Sequence, residues 1–301
     1  SYNLAGPPPL NAFSISVKNH GGYDVSCSGV ADGVIGTTVS GGVPPYSFIW
    51  TGPNGFTAST ADISGIAAGH YVLTVTDANG CSVTTGNTLV PPPPLTSTLA
   101  MLHYADGSGV SCAGEHDGSM TLSISGGTAP ITVAWSGPGG FSSSAWQITG
   151  LSPGTYSATV SDLNGCGLFL DTVITAPAPM VLSATASDAA CHDGATGAID
   201  LDVSGGASGY NYQWSGPGTF TGTAQDVTNA TAGTYAVTVT DVNGCTATTG
   251  AVIAQPPAIT ATAEIATTVC QGANSGAVDL TVSGGTPGYS YFWTGFPAYS
   301  A

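Results

Sequence analysis

Residues 69–81 read Gly-His-Tyr-Val-Leu-Thr-Val-Thr-Asp-Ala-Asn-Gly-Cys, and this stretch decides the fold. Its first half alternates apolar and polar residues with period two, which is typical of a β-strand with one buried face. Its second half carries Asp, Asn and Gly, which favour a tight turn because they bond nearby backbone or accept positive φ. We therefore predict a strand that ends in a turn just before Cys81.

The same stretch recurs at residues 154–166 and 233–245, and other landmarks recur with it. A cysteine lies 23 residues before each of four tryptophans, Trp50, Trp135, Trp214 and Trp293. Self-similarity at such a period indicates a tandem array. We predict an end of a preceding repeat at 1–6, then repeat 1 (7–91), repeat 2 (92–176), repeat 3 (177–255) and an incomplete repeat 4 (256–301).

The repeats differ in length at one place. From Leu10 to Cys27 there are 17 residues, whereas from Met180 to Cys191 there are 11. Repeats 1 and 2 therefore carry six extra residues between the first strand and the first cysteine.

Each repeat contains about seven short apolar-polar segments, separated by Gly- and Pro-rich turns every 8–12 residues. This spacing is typical of a β-sandwich. We predict an all-β chain of tandem immunoglobulin-like sandwiches arranged head to tail. The recurring tryptophan is expected to pack between the two sheets of its repeat.

The charge balance excludes several classes of partner. The chain has one Lys, no Arg and 17 acidic residues, for a formal charge of −16. Nucleic-acid binding relies on clustered Lys and Arg, so no nucleic-acid partner is expected. An anionic membrane surface would repel the chain, and an apolar run of about 18 residues is missing, so no direct membrane insertion is expected.

The sequence contains no pattern typical of catalysis. It has two Glu residues, Glu115 and Glu264, and lacks the HExxH, GxSxG and P-loop motifs. We therefore expect no enzyme, no catalytic residue, no metal and no cofactor.

Residues 62–81, preceded by Ser-Gly-Gly-Val-Pro-Pro-Tyr at 40–46, resemble the SprB repeat of Bacteroidota surface adhesins. The resemblance implies a secreted, extracellular protein at the cell surface or in a filament. Some relatives are gliding-motility adhesins exported by the type 9 secretion pathway. It implies a structural stalk or filament segment that extends and presents adhesive sites, with neighbouring repeats or chains of the same protein as partners. The alternative is an array of carbohydrate- or partner-binding modules on a secreted protein, for which surface polysaccharide is the candidate ligand.

The segment around residue 71 also looks like fibronectin type III and PKD modules, in which a tyrosine follows a Gly-containing turn. That resemblance implies that Tyr71, Tyr156 and Tyr235 are corner tyrosines whose hydroxyls bond nearby backbone. A plain core tyrosine is the alternative.

Seven cysteines at repeating positions, without a metal-type CxxC, indicate disulfides in an oxidising compartment. Pairing within repeats would give Cys27–Cys81, Cys112–Cys166 and Cys191–Cys245. In an immunoglobulin-like sandwich these positions lie at opposite ends, about 23 Å apart for a seven-residue strand, whereas bonded Cα atoms approach within about 7 Å. Head-to-tail packing instead favours bonds between repeats, Cys27–Cys166 and Cys112–Cys245. Both schemes remain open on the sequence alone.

Three weaker candidates remain. Trp146 has no counterpart in the other repeats and is out of phase with the inward Ile148, so we expect it to point outward as a candidate binding residue. The segment 171–173, Asp-Thr-Val, fits a bacterial O-glycosylation pattern at Thr172. The Asp-x-Asn-Gly turns could bind Ca²⁺, or could form through their own backbone bonds alone.

Overall fold

The computed structural model describes residues 6–267, 276–295 and 299–300. Residues 1–5, assigned above to a preceding repeat, and Cys270 lie outside them. The described chain is built of β-strands, with two three-residue 3-10 turns at Pro53–Gly55 and Pro138–Gly140. It forms two compact units: Ser1–Leu102 with His116–Thr175, and His103–Glu115 with Ala176–Ala301.

Repeat 1 contains seven strands, β1 (Asn11–Ser16), β2 (Gly33–Ser40), β3 (Ser47–Thr51), β4 (Thr57–Ala58), β5 (Ile63–Ile66), β6 (Gly69–Thr76) and β7 (Ser82–Leu89). They form an antiparallel sheet of three, in the order β1-β2-β5, and one of four, in the order β4-β3-β6-β7. This is the predicted immunoglobulin-like sandwich. The short β4 was not predicted, because two residues are too few to show a period.

Repeat 2 has the same order in β8 (Thr96–Met101), β9 (Gly118–Ser125), β10 (Thr132–Gly137), β11 (Phe141–Ser143), β12 (Gln147–Leu151), β13 (Gly154–Ser161) and β14 (Gly167–Ile174). Its sheets are β12-β9-β8 and β11-β10-β13-β14.

Repeat 3 follows with β15 (Val181–Ser187), β16 (Gly197–Ser204), β17 (Asn211–Ser215), β18 (Thr221–Gly222), β19 (Val227–Ala230), β20 (Gly233–Thr240) and β21 (Thr246–Ile253). Its sheets are β15-β16-β19 and β18-β17-β20-β21. The described part of repeat 4 holds β22 (Thr260–Thr267) paired with β23 (Ala277–Ser283), and β24 (Thr294–Gly295) paired with β25 (Tyr299–Ser300).

The core of each complete repeat is centred on its tryptophan, as predicted. Trp50 is fully buried with Ile35, Leu73 and Val75. Its indole nitrogen donates a hydrogen bond to the Thr60 carbonyl at 3.0 Å, so the buried polar atom is satisfied. Trp135 and Trp214 are buried in the same way.

The corner tyrosines are confirmed. The Tyr71 hydroxyl donates to the Ala67 carbonyl at 3.0 Å, and Tyr156 and Tyr235 make the equivalent bonds at the same distance. Phe56 packs edge-on against the Tyr71 ring, with 5.3 Å between centroids. The hydroxyl bond of Tyr71 to Ala67 holds the loop before β6 against that strand.

The first strand of repeat 1, β1, turns its large apolar side chains outward instead of toward the core. Phe13 and Ile15 are 62% and 66% exposed, whereas Ser14 and Ser16, which alternate with them, face inward. The small inward residues let β7 approach β1 closely, and the Asn87 side chain donates to the Ser14 carbonyl at 3.1 Å. Alternation alone therefore predicted the strand but not which face is apolar.

Candidate functional site: the joints between repeats

The turn that follows the long strand of each repeat is held by one aspartate. We call this turn the cysteine turn. It comprises residues 77–81, 162–166 and 241–245 in repeats 1, 2 and 3. In repeat 1, Asp77 Oδ1 accepts from the backbone N–H groups of Asn79 and Cys81, both at 2.9 Å. Asp77 Oδ2 accepts from the Val43 N–H at 3.1 Å. Asp162 and Asp241 repeat this set of bonds.

In repeat 1 these bonds lower the pKa of the turn aspartate. The N–H of Cys81, with those of Val43 and Asn79, holds the pKa of Asp77 below its ordinary value, because each donor stabilises the charged carboxylate. Calcium requires several oxygen ligands, whereas the groups around this carboxylate are N–H donors. In the described ranges, no group of three or more His, Cys, Asp or Glu residues could hold a metal ion. The bonds that the structure shows for the turn aspartate are those that hold the turn in shape.

Two disulfides join the cysteine turns to the loops between the first two strands of the preceding repeats. We call these segments the first loops, residues 17–32, 102–117 and 188–196. Cys27 is bonded to Cys166 and Cys112 to Cys245, with Cα atoms 5.7 Å apart in each pair. Both pairs lie between repeats. The within-repeat pairs Cys27–Cys81, Cys112–Cys166 and Cys191–Cys245 are therefore not formed, and Cys81 and Cys191 are exposed free thiols.

A turn asparagine anchors each joint beside its disulfide. Asn164 Nδ2 donates to the Ser26 carbonyl and to Thr128 Oγ1, both at 3.1 Å, and reaches the His20 carbonyl at 3.4 Å. This amide therefore links the turn of repeat 2 to the first loop of repeat 1 and to its own repeat.

Asn243 does the same in the second unit with different partners. Its Nδ2 donates to the Ser111 carbonyl at 3.1 Å and to Asp106 Oδ1 at 3.0 Å, and its Oδ1 accepts from the Ala105 N–H at 3.2 Å. Sequence reasoning missed these anchors, although an asparagine at the same place in all three turns was the available signal.

The six extra residues of the long first loops supply part of these contacts. In repeat 1 they bring Gly21 against Thr128 of repeat 2, and a Cβ on Gly21 would lie 2.4 Å from Thr128 Cγ2. Gly21 also has a φ of +66°, so glycine is required both by the backbone and by the close approach. In repeat 2 they include Ala105 and Asp106, which hold Asn243.

The proline-containing linker is fixed at both ends. At the end of repeat 1, the Val90 N–H donates to Asp24 Oδ2 at 2.8 Å, and the Val90 carbonyl accepts from the Asp24 N–H at 3.1 Å. At the start of repeat 2, the Pro93 carbonyl accepts from the Gly127 N–H at 2.9 Å. Repeats 1 and 2 are thus connected by a pinned linker, an amide anchor and a covalent bond.

The other candidate residues lie away from the joints. Trp146 points outward and is 41% exposed. Thr172 is half-buried on the face of β14 that also carries Leu170 and Ile174, while Asp171 and Val173 point outward. A glycan on Thr172 would have to leave from the inner side of the strand, so this placement does not favour it.

The three complete sandwiches define a tandem immunoglobulin-like repeat protein. The sequence profile of the SprB repeat matches residues 23–55, 108–140, 183–219 and 262–296. These four matches show that the chain carries SprB repeats, which are typical of an adhesin-like repeat region. Each matched stretch contains the first cysteine and the recurring tryptophan of its repeat, and the first three end before the cysteine turn.

Solved structures that match the chain include two Dscam structures and one of an amphioxus protein. A Dscam structure solved to explain isoform specificity is 13% identical, covers 75% of this chain and 70% of its own, and has a TM-score of 0.26. The amphioxus IgVJ-C2 molecule is 20% identical, with 44% and 90% covered and a TM-score of 0.23. The N-terminal four Ig domains of Dscam1 isoform 6.9 are 12% identical, with 74% and 69% covered and a TM-score of 0.26. Nothing about binding or assembly follows from these values.

No curated protein matches the sequence. Across residues 6–267, 276–295 and 299–300, a membrane-crossing helix is not found, since no helix there has the required length and apolar character.

Proposed function

We propose that this chain is a stalk or filament segment of a secreted bacterial cell-surface adhesin, and that it extends and presents adhesive sites. Its disulfides support an extracellular location, because such bonds persist in oxidising compartments. The SprB resemblance supports a Bacteroidota source and export by the type 9 pathway. By strand length plus turns, each repeat would add roughly 35–45 Å of reach.

The observation that carries this proposal is the joint itself. A module array that only displayed independent binding domains would work with free linkers. Here Cys27–Cys166, the Asn164 anchor and the pinned Val90 fix repeat 2 against repeat 1. Fixed joints let a chain of domains transmit load and hold a tip away from the cell.

The two disulfides are interleaved along the sequence, which gives a mechanical test. Cys112 lies inside the segment closed by Cys27–Cys166, and Cys166 lies inside the segment closed by Cys112–Cys245. The shortest covalent path from end to end therefore crosses both bonds and uses fewer than half of the residues. At 3.3–3.6 Å per residue, full extension reaches roughly 450–500 Å oxidised and roughly 1,000 Å reduced.

Single-molecule pulling of the full chain with and without reductant measures this difference. The expected result is a contour length that about doubles on reduction. Equal contour lengths in both conditions would contradict load-bearing joints. The variant Cys81→Ser is the matched control, since Cys81 is free and its removal leaves the oxidised length unchanged. Antibody labelling of intact cells of the natural source tests the surface location separately.

Trp146 favours a second candidate, an array that binds surface polysaccharide or a protein partner. Exposed aromatic rings offer apolar contact to such ligands, and Trp146 is 41% exposed. Saturable glycan binding by the chain that is lost in Trp146→Ala would support this function. Absence of saturable binding by the unmodified chain would contradict this function, and binding retained in the variant would remove Trp146 from the binding site.

A further inference from the structure

A cleft beside the free thiol of Cys191 repeats the setting of the two joints. It is lined by the first loop of repeat 3, by the linker to repeat 4 and by the glycine turn of repeat 4, namely residues 190–192, 256–259 and 285–286. The linker is held in place, since the Pro257 carbonyl accepts from the Gly285 N–H at 2.7 Å.

In the two joints, the corresponding clefts have a cysteine turn as one of their walls. Between repeats 1 and 2, Cys27, the linker 92–95 and Gly127 line a cleft together with Asp162, Gly165 and Cys166 of the cysteine turn, and Cys27 is bonded to Cys166 there. In the second unit, the linker 177–180 and Cys112 face Asp241 and Cys245 in the same way. Among the residues that the structure describes, no cysteine turn lines the cleft at Cys191.

The exposure of the first-loop cysteine depends on whether a cysteine turn is bonded to it. Cys27 and Cys112 are half-buried, whereas Cys191 and the preceding Ala190 are exposed. In each joint the carbonyl before the cysteine accepts from the turn asparagine at 3.1 Å, through Ser26 in one and Ser111 in the other. Ala190 holds the equivalent position before Cys191.

We propose that this cleft binds the Asp-x-Asn-Gly-Cys turn of another SprB repeat, with its asparagine on the Ala190 carbonyl and its cysteine bonded to Cys191. The two occupied joints show the same surface holding this turn. The inference rests on the proposed role of the joints. The short first loop of repeat 3 lacks the six residues that supply part of the asparagine contacts elsewhere, so this site depends more on its disulfide.

The covalent step is a thiol-disulfide exchange. The Cys191 thiolate attacks the sulfur of a turn cysteine that is held as a mixed disulfide with a small thiol. The new bond joins Cys191 to the turn cysteine, and the small thiol leaves as its thiolate and takes up a proton. One disulfide is consumed and one is formed, so no further oxidant is needed.

The test uses the full chain and a peptide of residues 239–247 whose Cys245 carries glutathione. The two are equilibrated in a glutathione redox buffer, and occupancy of Cys191 and Cys81 is read by mass spectrometry after peptic digestion. Oxidised glutathione alone gives the baseline ratio, since both thiols are exposed. We expect the peptide to raise the Cys191-to-Cys81 ratio about tenfold, as one or two net hydrogen bonds would.

Two variants make the result specific. A peptide with Asn243→Ala should lower that ratio about threefold to tenfold. In the chain, Thr286→Trp should fill the cleft and return the ratio to baseline while glutathione still reacts with Cys191. The proposal is overturned if the peptide labels both cysteines in the baseline ratio, or if the alanine peptide does as well as the asparagine peptide. Pulling experiments do not involve Cys191, so failure here is distinguishable from failure of the proposed function.

Discussion

The cysteine turn of repeat 1 and that of repeat 2 have the same internal hydrogen bonds but different surroundings. Asp77 and Asp162 each accept from three backbone N–H groups at 2.9–3.1 Å. Yet Asn79 and Cys81 are exposed, while Asn164 and Cys166 are half-buried under the first loop of repeat 1. The turn therefore has its shape before any neighbour covers it, and the joint captures a preformed surface.

Removing the disulfide should break the covered turn and leave the uncovered one unaffected. Cys27→Ser with Cys166→Ser should destabilise unit 1 by about 2–4 kcal/mol, because the unfolded chain is no longer closed. Cys81→Ser, in the uncovered turn, should change stability by less than about 0.5 kcal/mol. Chemical denaturation of the oxidised proteins measures both. A similar loss in the two variants would show that the bond adds no constraint.

The asparagines sharpen the comparison, since they differ only in being covered. Asn164→Ala should cost about 1–3 kcal/mol, because it leaves the Ser26 carbonyl and Thr128 hydroxyl without their partner. Asn79→Ala should be close to neutral. Thermal unfolding with the disulfides reduced isolates this contribution. Equal effects would mean that the amide acts within the turn and not across the joint.

The same pair should differ in chemical lability. Each turn contains Asn-Gly, in which the glycine nitrogen can attack the side-chain amide carbon, expel ammonia and form a succinimide that opens to Asp or isoaspartate. The amides of Asn164 and Asn243 are held by three contacts each, so we expect Asn79 to deamidate first. Peptide mapping after incubation at mildly alkaline pH measures the order. Equal rates at the three sites would contradict protection by the joint.

The two covered turns should differ in their response to acid. The side-chain amide of Asn243, with the Ser108 hydroxyl, holds the pKa of Asp106 below its ordinary value. A lowered carboxyl pKa stabilises the folded joint above the ordinary Asp range, and this contribution is lost as pH falls through the folded value. The contacts of Asn164 are to carbonyls and a hydroxyl, which do not titrate in that range.

The NMR signals of the two side-chain amides check this prediction. The Asn243 amide should shift with the titration of Asp106, and in Asp106→Asn that shift should disappear. The Asn164 amide serves as the control and should not follow it. An Asn243 signal that does not respond to the titration of Asp106 would show that the two side chains are not in contact in solution.

Sequence reasoning was strongest where a pattern is local and repeated. The apolar-polar alternation around Tyr71 predicted a strand with one buried face. The recurrence of a tryptophan such as Trp50 in every repeat predicted a tandem array of sandwiches with this residue in the core. The length of a strand predicted that Cys27 and Cys81 lie at opposite ends of one sandwich. In the structure Cys27 is bonded to Cys166 of the next repeat.

What sequence reasoning missed depends on which surfaces meet. Phe13 and Ile15 alternate correctly, but their outward direction follows from the close approach of β7. The anchors made by Asn164 and Asn243 require a partner more than 130 residues away in sequence, so no local pattern reveals them. Thr172 matched a short motif that carries no information on which side of β14 it faces.

The direction of the joints has a consequence for biogenesis. Cys27 and Cys112 pair with cysteines that lie 139 and 133 residues later, so in a chain that emerges from its N-terminus each of these thiols must stay reduced until its partner has followed. Cys27 meets Cys81 well before Cys166, and only the folded sandwich of repeat 1 keeps the two apart. Oxidation that outpaces folding would therefore trap the wrong bond, and exporting the chain already folded would avoid it.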